Sequence, residues 1–225
     1  MESLSLFDIT GPIMIGPSSS HTAGAVRLGK IAANLVGGTI KEAKIHLHGS
    51  FAATYRGHGT DKALLAGILG FNPSDEQIKD SPAIAQKRGL HYSIITADLG
   101  DVHPNSVKFD ITLTNGQHHS VTGSSLGGGR IIITSIDDME MNFTGDKPII
   151  IAHYHDTPGI IATISTLLYE REINIGNMQV RRCREDQTAY LYMETDSLCD
   201  QLLEQQISSI NGMYYARIIN PFDHD

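Results

Sequence analysis

Apolar positions along the chain follow two periods, one helical and one alternating. Val26, Leu28, Ile31 and Leu35 recur at roughly helical spacing over 23–35, and Gly37-Gly38 should stop that helix. A second helical set, Ala63, Leu64, Ile68 and Leu69, ends at Gly70 and has Thr60 or Asp61 available as its cap. Residues 39–47 carry a strand pattern. Val107, Phe109, Ile111 and Leu113 alternate with polar partners, and Asn115-Gly116 then predicts a hairpin that returns through 117–122. Residues 91–99 and 130–136 read as further strands. Residues 4–15 read as an entry strand or loop, and Pro82 divides the polar stretch 73–88 into two short helical pieces at most. Small residues dominate 49–60 and 123–129, which read as loops. The stretch 137–147 is polar enough for a linker, placed at 144–147 between a first domain over 1–143 and a second over 148–225.

The last part of the chain has a different grammar. Residues 149–154 form an apolar strand, and the turn Asp156-Thr157-Pro158-Gly159 can cap a helix whose one face holds Ile160, Ile164, Leu167 and Leu168. Strands follow over 173–180 and 188–195, the second alternating Ala189, Leu191 and Met193 against Tyr190, Tyr192 and Glu194. A helix over 198–210 and a strand over 213–219 complete the order βαββαβ, which usually builds a ferredoxin-like module. The fold class is α+β.

With 225 residues and 40% hydrophobic content the chain has enough apolar material for one large or two small domains. A formal net charge of -8 argues against nucleic-acid and anionic-membrane surfaces. The one dense basic cluster, Arg181, Arg182 and Arg184, adjoins Glu185 and Asp186 and reads as a solvated strand end. Cys183 and Cys199 provide neither a disulfide framework nor a Cys-x-x-Cys metal spacing, so both are expected as reduced thiols in a cytoplasmic protein. No window approaches the run of ~18 apolar residues that a membrane helix needs.

Candidate chemistry concentrates where Gly16-Pro17-Ser18-Ser19-Ser20-His21-Thr22 enters the first helix. Pro17 ends what precedes, a serine caps, and the hydroxyls gather at a helix N-terminus whose free N–H groups and dipole suit a carboxylate or phosphate. A solvated histidine in an ordinary capping motif is the plainer alternative. Gly57-His58-Gly59-Thr60-Asp61 repeats the theme of glycine, histidine, hydroxyl and helix. The histidine pairs His46/His48 and His153/His155 each share a strand face without a third ligand in sight, whereas His118 and His119 point to opposite faces. No metal site is expected in this chain. Ser-His nucleophilic catalysis lacks its Gly-x-Ser-x-Gly elbow.

These motifs, together with His103-Pro104-Asn105-Ser106 and Ser125-Leu126-Gly127-Gly128-Gly129, resemble the β chain of iron–sulfur-dependent L-serine dehydratase, a lyase. His155-Asp156-Thr157-Pro158-Gly159-Ile160 and Ile173-Asn174-Ile175-Gly176-Asn177-Met178 resemble the ligand-side turn and following strand of an ACT domain. The first domain is also similar to the extra substrate-binding domain of some phosphoglycerate dehydrogenases. The resemblance implies conversion of L-serine to pyruvate and ammonia with a partner α chain whose three cysteines hold a [4Fe-4S] cluster. It implies His58 and His21 as catalytic candidates. Ser18, Ser19, Ser20, Thr22, Gly59, Thr60, Asp61, Asn105 and Ser125 become substrate-binding candidates. Asp156, Gly159, Asn174 and Asn177 match the effector pocket of the ACT-like module, through which copies of the chain would associate. The alternatives are a subunit that completes an active site and a freestanding amino-acid sensor.

Overall fold

The computed structural model describes Met14, Gly16 and residues 18–137 and 139–221. The expected entry segment, apart from Met14, and Pro17 lie outside the described residues. The chain divides into two compact units between Thr144 and Gly145.

The first unit is a six-stranded sheet with helices. In chain order it comprises a π-helical turn Ser19–Gly24, α1 (Ala25–Val36), β1 (Ile40–Leu47), α2 (Gly49–His58), α3 (Thr60–Ile68), a 3-10 turn Glu76–Asp80, α4 (Ser81–Lys87), β2 (His91–Thr96), β3 (Ser106–Leu113), β4 (His118–Gly127), β5 (Arg130–Ile136) and β6 (Met139–Phe143). The strand order is β2-β1-β3-β4-β5-β6, with β1 and β2 parallel and every other neighbour antiparallel. Pro82 stands in the first turn of α4, directly after the 3-10 turn, so the two short helical pieces form as expected. Val107, Phe109, Ile111 and Leu113 are buried while Lys108, Asp110 and Thr112 are only partly covered. That alternation places one sheet face against the helices.

Helix α1 packs on α3 at a crossing without side chains. A Cβ added to Gly29 would lie 2.2 Å from Leu64 O and 3.1 Å from the Gly67 Cα; one added to Gly67 would lie 2.1 Å from Val26 O. The two backbones therefore touch. Glycine costs about 1 kcal/mol against alanine inside a helix, so the crossing is kept by close approach and not by propensity.

Three segments differ from the sequence reading. Residues 49–58 are helix α2 and not a loop; only Phe51 is buried there, so the segment has almost no apolar periodicity to announce it. Strand β4 runs on through Ser124 and Ser125 to Gly127, so the small-residue loop shrinks to the hairpin tip. The expected linker contains strand β6, whose Met139, Met141 and Phe143 are buried on alternate positions between polar Glu140 and Asn142. Caps differ too. Neither Thr60 nor Asp61 caps α3, whose N-cap is Gly59 in the left-handed region.

The second unit contains β7 (Ile149–His155), α5 (Ile160–Tyr169), β8 (Ile175–Cys183), β9 (Thr188–Thr195), α6 (Gln201–Ser208) and β10 (Met213–Ile219). Its sheet order β10-β7-β9-β8 is that of a ferredoxin-like βαββαβ fold, and α5 and α6 bury Ile160, Ile164, Leu168, Leu203 and Ile207 over Ile150, Ala152, Leu191 and Met193. Here Gly159 (φ 97) is the N-cap of α5, and Asp156 makes no capping bond. Asp200 does cap α6, accepting from Leu203 N at 2.7 Å. Among the described residues no helix is long and apolar enough to cross a membrane.

A Gly67→Ala substitution should cost stability although alanine is the better helix former. Overpacking costs about 1–3 kcal/mol, which would lower the urea midpoint at an unchanged slope. A midpoint that stays level or rises would show that the helices separate without penalty.

Candidate active-site surface

The serine turn forms as a tight extension of α1. Ser18 takes extended dihedrals and its Oγ accepts from His21 N at 3.2 Å, so the expected serine cap is real. Thr22 N donates to Ser18 O at 2.9 Å. The first turn is π-helical, a geometry that is often found at functional sites.

The turn is fastened to the sheet through β4. Ser125 Oγ donates to Ser20 O at 3.0 Å, and a Cβ on Gly24 would lie 2.0 Å from that hydroxyl. At the hairpin tip Gly128 N donates to Ser19 Oγ at 3.3 Å, while Arg27 Nη1 donates to Gly129 O at 2.8 Å. Asn105 joins from the loop before β3: its carbonyl accepts from Ser125 N at 3.0 Å and its Nδ2 reaches Ser125 O at 3.5 Å. Ser18, Ser19, Ser20, Asn105 and Ser125 thus belong to one hydrogen-bonded cluster.

His21 is the centre of that cluster, with 8% of its surface exposed. Ser20 Oγ lies 3.1 Å and Ser18 Oγ 3.4 Å from Nδ1, while Ser50 Oγ lies 3.3 Å from Nε2. The rings of Phe51 and His58 meet the imidazole edge-on, with centroids at 5.2 and 4.8 Å. Burial, and to a smaller extent a second imidazole at His58, pull the His21 pKa down, and a hydrogen bond with the backbone of Ser50 opposes them. A neutral ring at pH 7 is the result, able to donate at one nitrogen and accept at the other.

His58 is the exposed last residue of α2, so it is held by a helix end and not by a glycine loop. Gly59 follows as the αL link to α3. Thr60 is fully buried in the first turn of α3, and Asp61 is half-buried beside it. The Oγ1 atoms of Thr22 and Thr60 and the Oδ1 of Asn105 are buried without a hydrogen-bond partner. Ser50 and Phe51 are the residues that sequence reading missed. Their signal was the serine directly after His48-Gly49, hidden inside what read as a loop.

Three further histidines have local roles. His46 faces Asp110 at 2.9 Å, His48 Nδ1 accepts from Leu99 N at 3.1 Å, and buried His119 pairs with Asp137 at 2.8 Å. In the second unit Asp156 is paired with Arg182 of β8, and Asn174 Nδ2 donates to Asp196 at 2.9 Å. Gly159 heads α5 and Asn177 is exposed on β8. The basic run therefore reaches the turn that the ACT resemblance singles out. Cys183 and Cys199 are free thiols, and Cys199 is buried beside Thr195.

The lowered pKa has a consequence for stability. As pH falls below about 6.5 the unfolded chain binds its His21 proton first, so the contribution of this group is complete above that value and declines on acidification. Between pH 7.5 and 5.5, His21→Gln should lose less unfolding free energy than the parent chain in urea titrations. Equal losses would contradict a buried neutral ring.

Comparisons with known proteins show the family. The family described as "Serine dehydratase beta chain" matches residues 5–99. The L-serine dehydratase beta chain of Peptoniphilus asaccharolyticus is 39% identical over 97% of this chain and 99% of its own length. A probable L-serine dehydratase beta chain of Bacillus subtilis is 40% identical over 93% and 95%. D-3-phosphoglycerate dehydrogenase of Synechocystis sp. is 30% identical over 86% of this chain and 36% of its own length. With near-complete mutual coverage at this identity, the chain belongs to the family of L-serine dehydratase beta chains.

Proposed function

We propose that this chain is the subunit that completes the active site of a two-chain L-serine dehydratase. The reaction removes the α-proton and the β-hydroxyl of L-serine as water, and the resulting 2-aminoacrylate tautomerises to an imine that water hydrolyses to pyruvate and ammonia. The observation that carries the reading is the hydroxyl-ringed, neutral His21 beneath the exposed His58, at a helix N-terminus suited to a carboxylate. His58 is accessible to a substrate held against a second chain. His21 lies in edge contact behind it and exchanges protons with hydroxyls on both sides. The words "beta chain" in the names of the two relatives that match end to end support a separate α chain.

The [4Fe-4S] cluster implied by the family does not fit the residues of this chain. Its two cysteines are in the second unit, one buried, and among the described residues no three His, Cys, Asp or Glu side chains converge as ligands. We assign the cluster to the α chain. The second unit we read as an ACT-type module, with Asp156, Gly159, Asn174 and Asn177 at its ligand side. Strand β8 is an exposed edge that supports association between copies. That this chain also matches 36% of the length of a protein named for a different activity, a phosphoglycerate dehydrogenase, leaves room for one second reading, an amino-acid sensor without a catalytic part.

Anaerobic pyruvate formation by this chain, by an α-type partner and by their mixture separates the two. Turnover only in the mixture is expected, together with a loss of about 10²–10⁴-fold in His58→Ala. Near-normal turnover by that variant would remove His58 from the chemistry. A partner that works unaided, with this chain altering only its serine dependence, would make the chain a sensor.

A further inference from the structure

The hydroxyl on the Nε2 side of His21 comes from outside the serine turn. Ser50 is the second residue of α2, and its place is set by backbone: Ser50 N donates to Pro104 O at 2.8 Å. Its neighbour Phe51 is fully buried and meets the His21 ring edge-on. Ser50 therefore stands opposite His21 because the first turn of α2 is tied to the loop before β3.

One bond beside the ring has a fixed direction. The His21 backbone N–H can only donate, and it does so to Ser18 Oγ at 3.2 Å. Ser18 Oγ keeps a proton that can go to Ser20 Oγ at 3.3 Å or to His21 Nδ1 at 3.4 Å, and Ser20 Oγ has one that can go to Nδ1 at 3.1 Å. With both hydroxyl protons directed this way each bond polarises the next, and Nδ1 accepts. In a neutral imidazole that arrangement needs a proton on Nε2, which Ser50 Oγ, at 3.3 Å, is placed to accept.

We propose that Ser50 is a positioning residue that holds the proton of His21 on Nε2. The proposal rests on the reading of this surface as part of an active site only for its effect on turnover. The tautomer is a property of the chain alone.

The test is a long-range ¹H–¹⁵N correlation spectrum of the ¹⁵N-labelled full chain at pH 7.5, with the His21 signals assigned by their loss in His21→Gln. The parent chain should show a protonated Nε2 and an unprotonated Nδ1. Ser50→Ala should mix the two tautomers, and Ser50→Thr, which keeps the hydroxyl, should restore the parent pattern. Ser50→Cys serves if the alanine variant does not fold. In the complex with an α chain, kcat of Ser50→Ala should fall by about 10-fold or more while KM changes less. An unchanged His21 tautomer in both hydroxyl-free variants would overturn the proposal. A shifted tautomer with unchanged turnover would uphold the role of Ser50 and overturn the active-site reading.

Discussion

The contact of two helix backbones at Gly29 and Gly67 is the constraint on which the candidate site depends. Helix α1 carries the serine turn at its N-terminal end, and α3 begins two residues after His58. Bringing α1 and α3 to backbone distance therefore brings the two histidine-bearing turns together. His21 and His58, 37 positions apart in the chain, meet with ring centroids at 4.8 Å. Any side chain at the crossing would separate the helices by more than the imidazoles can follow, because packed interiors yield little.

The second fastening comes from the sheet. Ser125 on β4 and Asn105 before β3 tie the serine turn from below, and the absence of a Cβ on Gly24 lets Ser125 reach the carbonyl of Ser20. The hydroxyls of Ser18, Ser19 and Ser20 are thereby engaged within the cluster, whereas Thr22 Oγ1 has no partner, and the ring they enclose stays neutral. An enclosed neutral imidazole among hydroxyls is suited to proton exchange at pH 7, whereas an exposed one would be partly charged. No carboxylate contacts the His21 ring among the described residues, which separates this arrangement from a Ser-His-Asp triad.

The second unit follows different rules. Its helices bury a conventional apolar layer, and its chemistry-bearing residues stand on an exposed turn and edge strand. Asp156 does not cap α5; its carboxylate faces Arg182 instead, and an exposed pair of this kind contributes little to stability. The pair links the turn to the edge strand.

Periodicity in the sequence determined α1, β3, β9 and both helices of the second unit, since each buries one regular face and the spacing of apolar residues records that face, while turn chemistry determined the Asn115-Gly116 hairpin. It also marked the serine turn and its cap, because capping is local chemistry. It did not reveal α2, where only Phe51 is buried, nor the strand character of Ser124 and Ser125, whose small side chains fit both strand and loop. Above all, Ser50 becomes part of the site only because α2 is a helix whose first turn is bonded to Pro104. Which hydroxyls surround His21 is a matter of contacts between segments far apart in the chain, and side-chain spacing carries no record of them. That arrangement was decided by tertiary structure, through the glycine crossing of α1 and α3 and the bonds from β4.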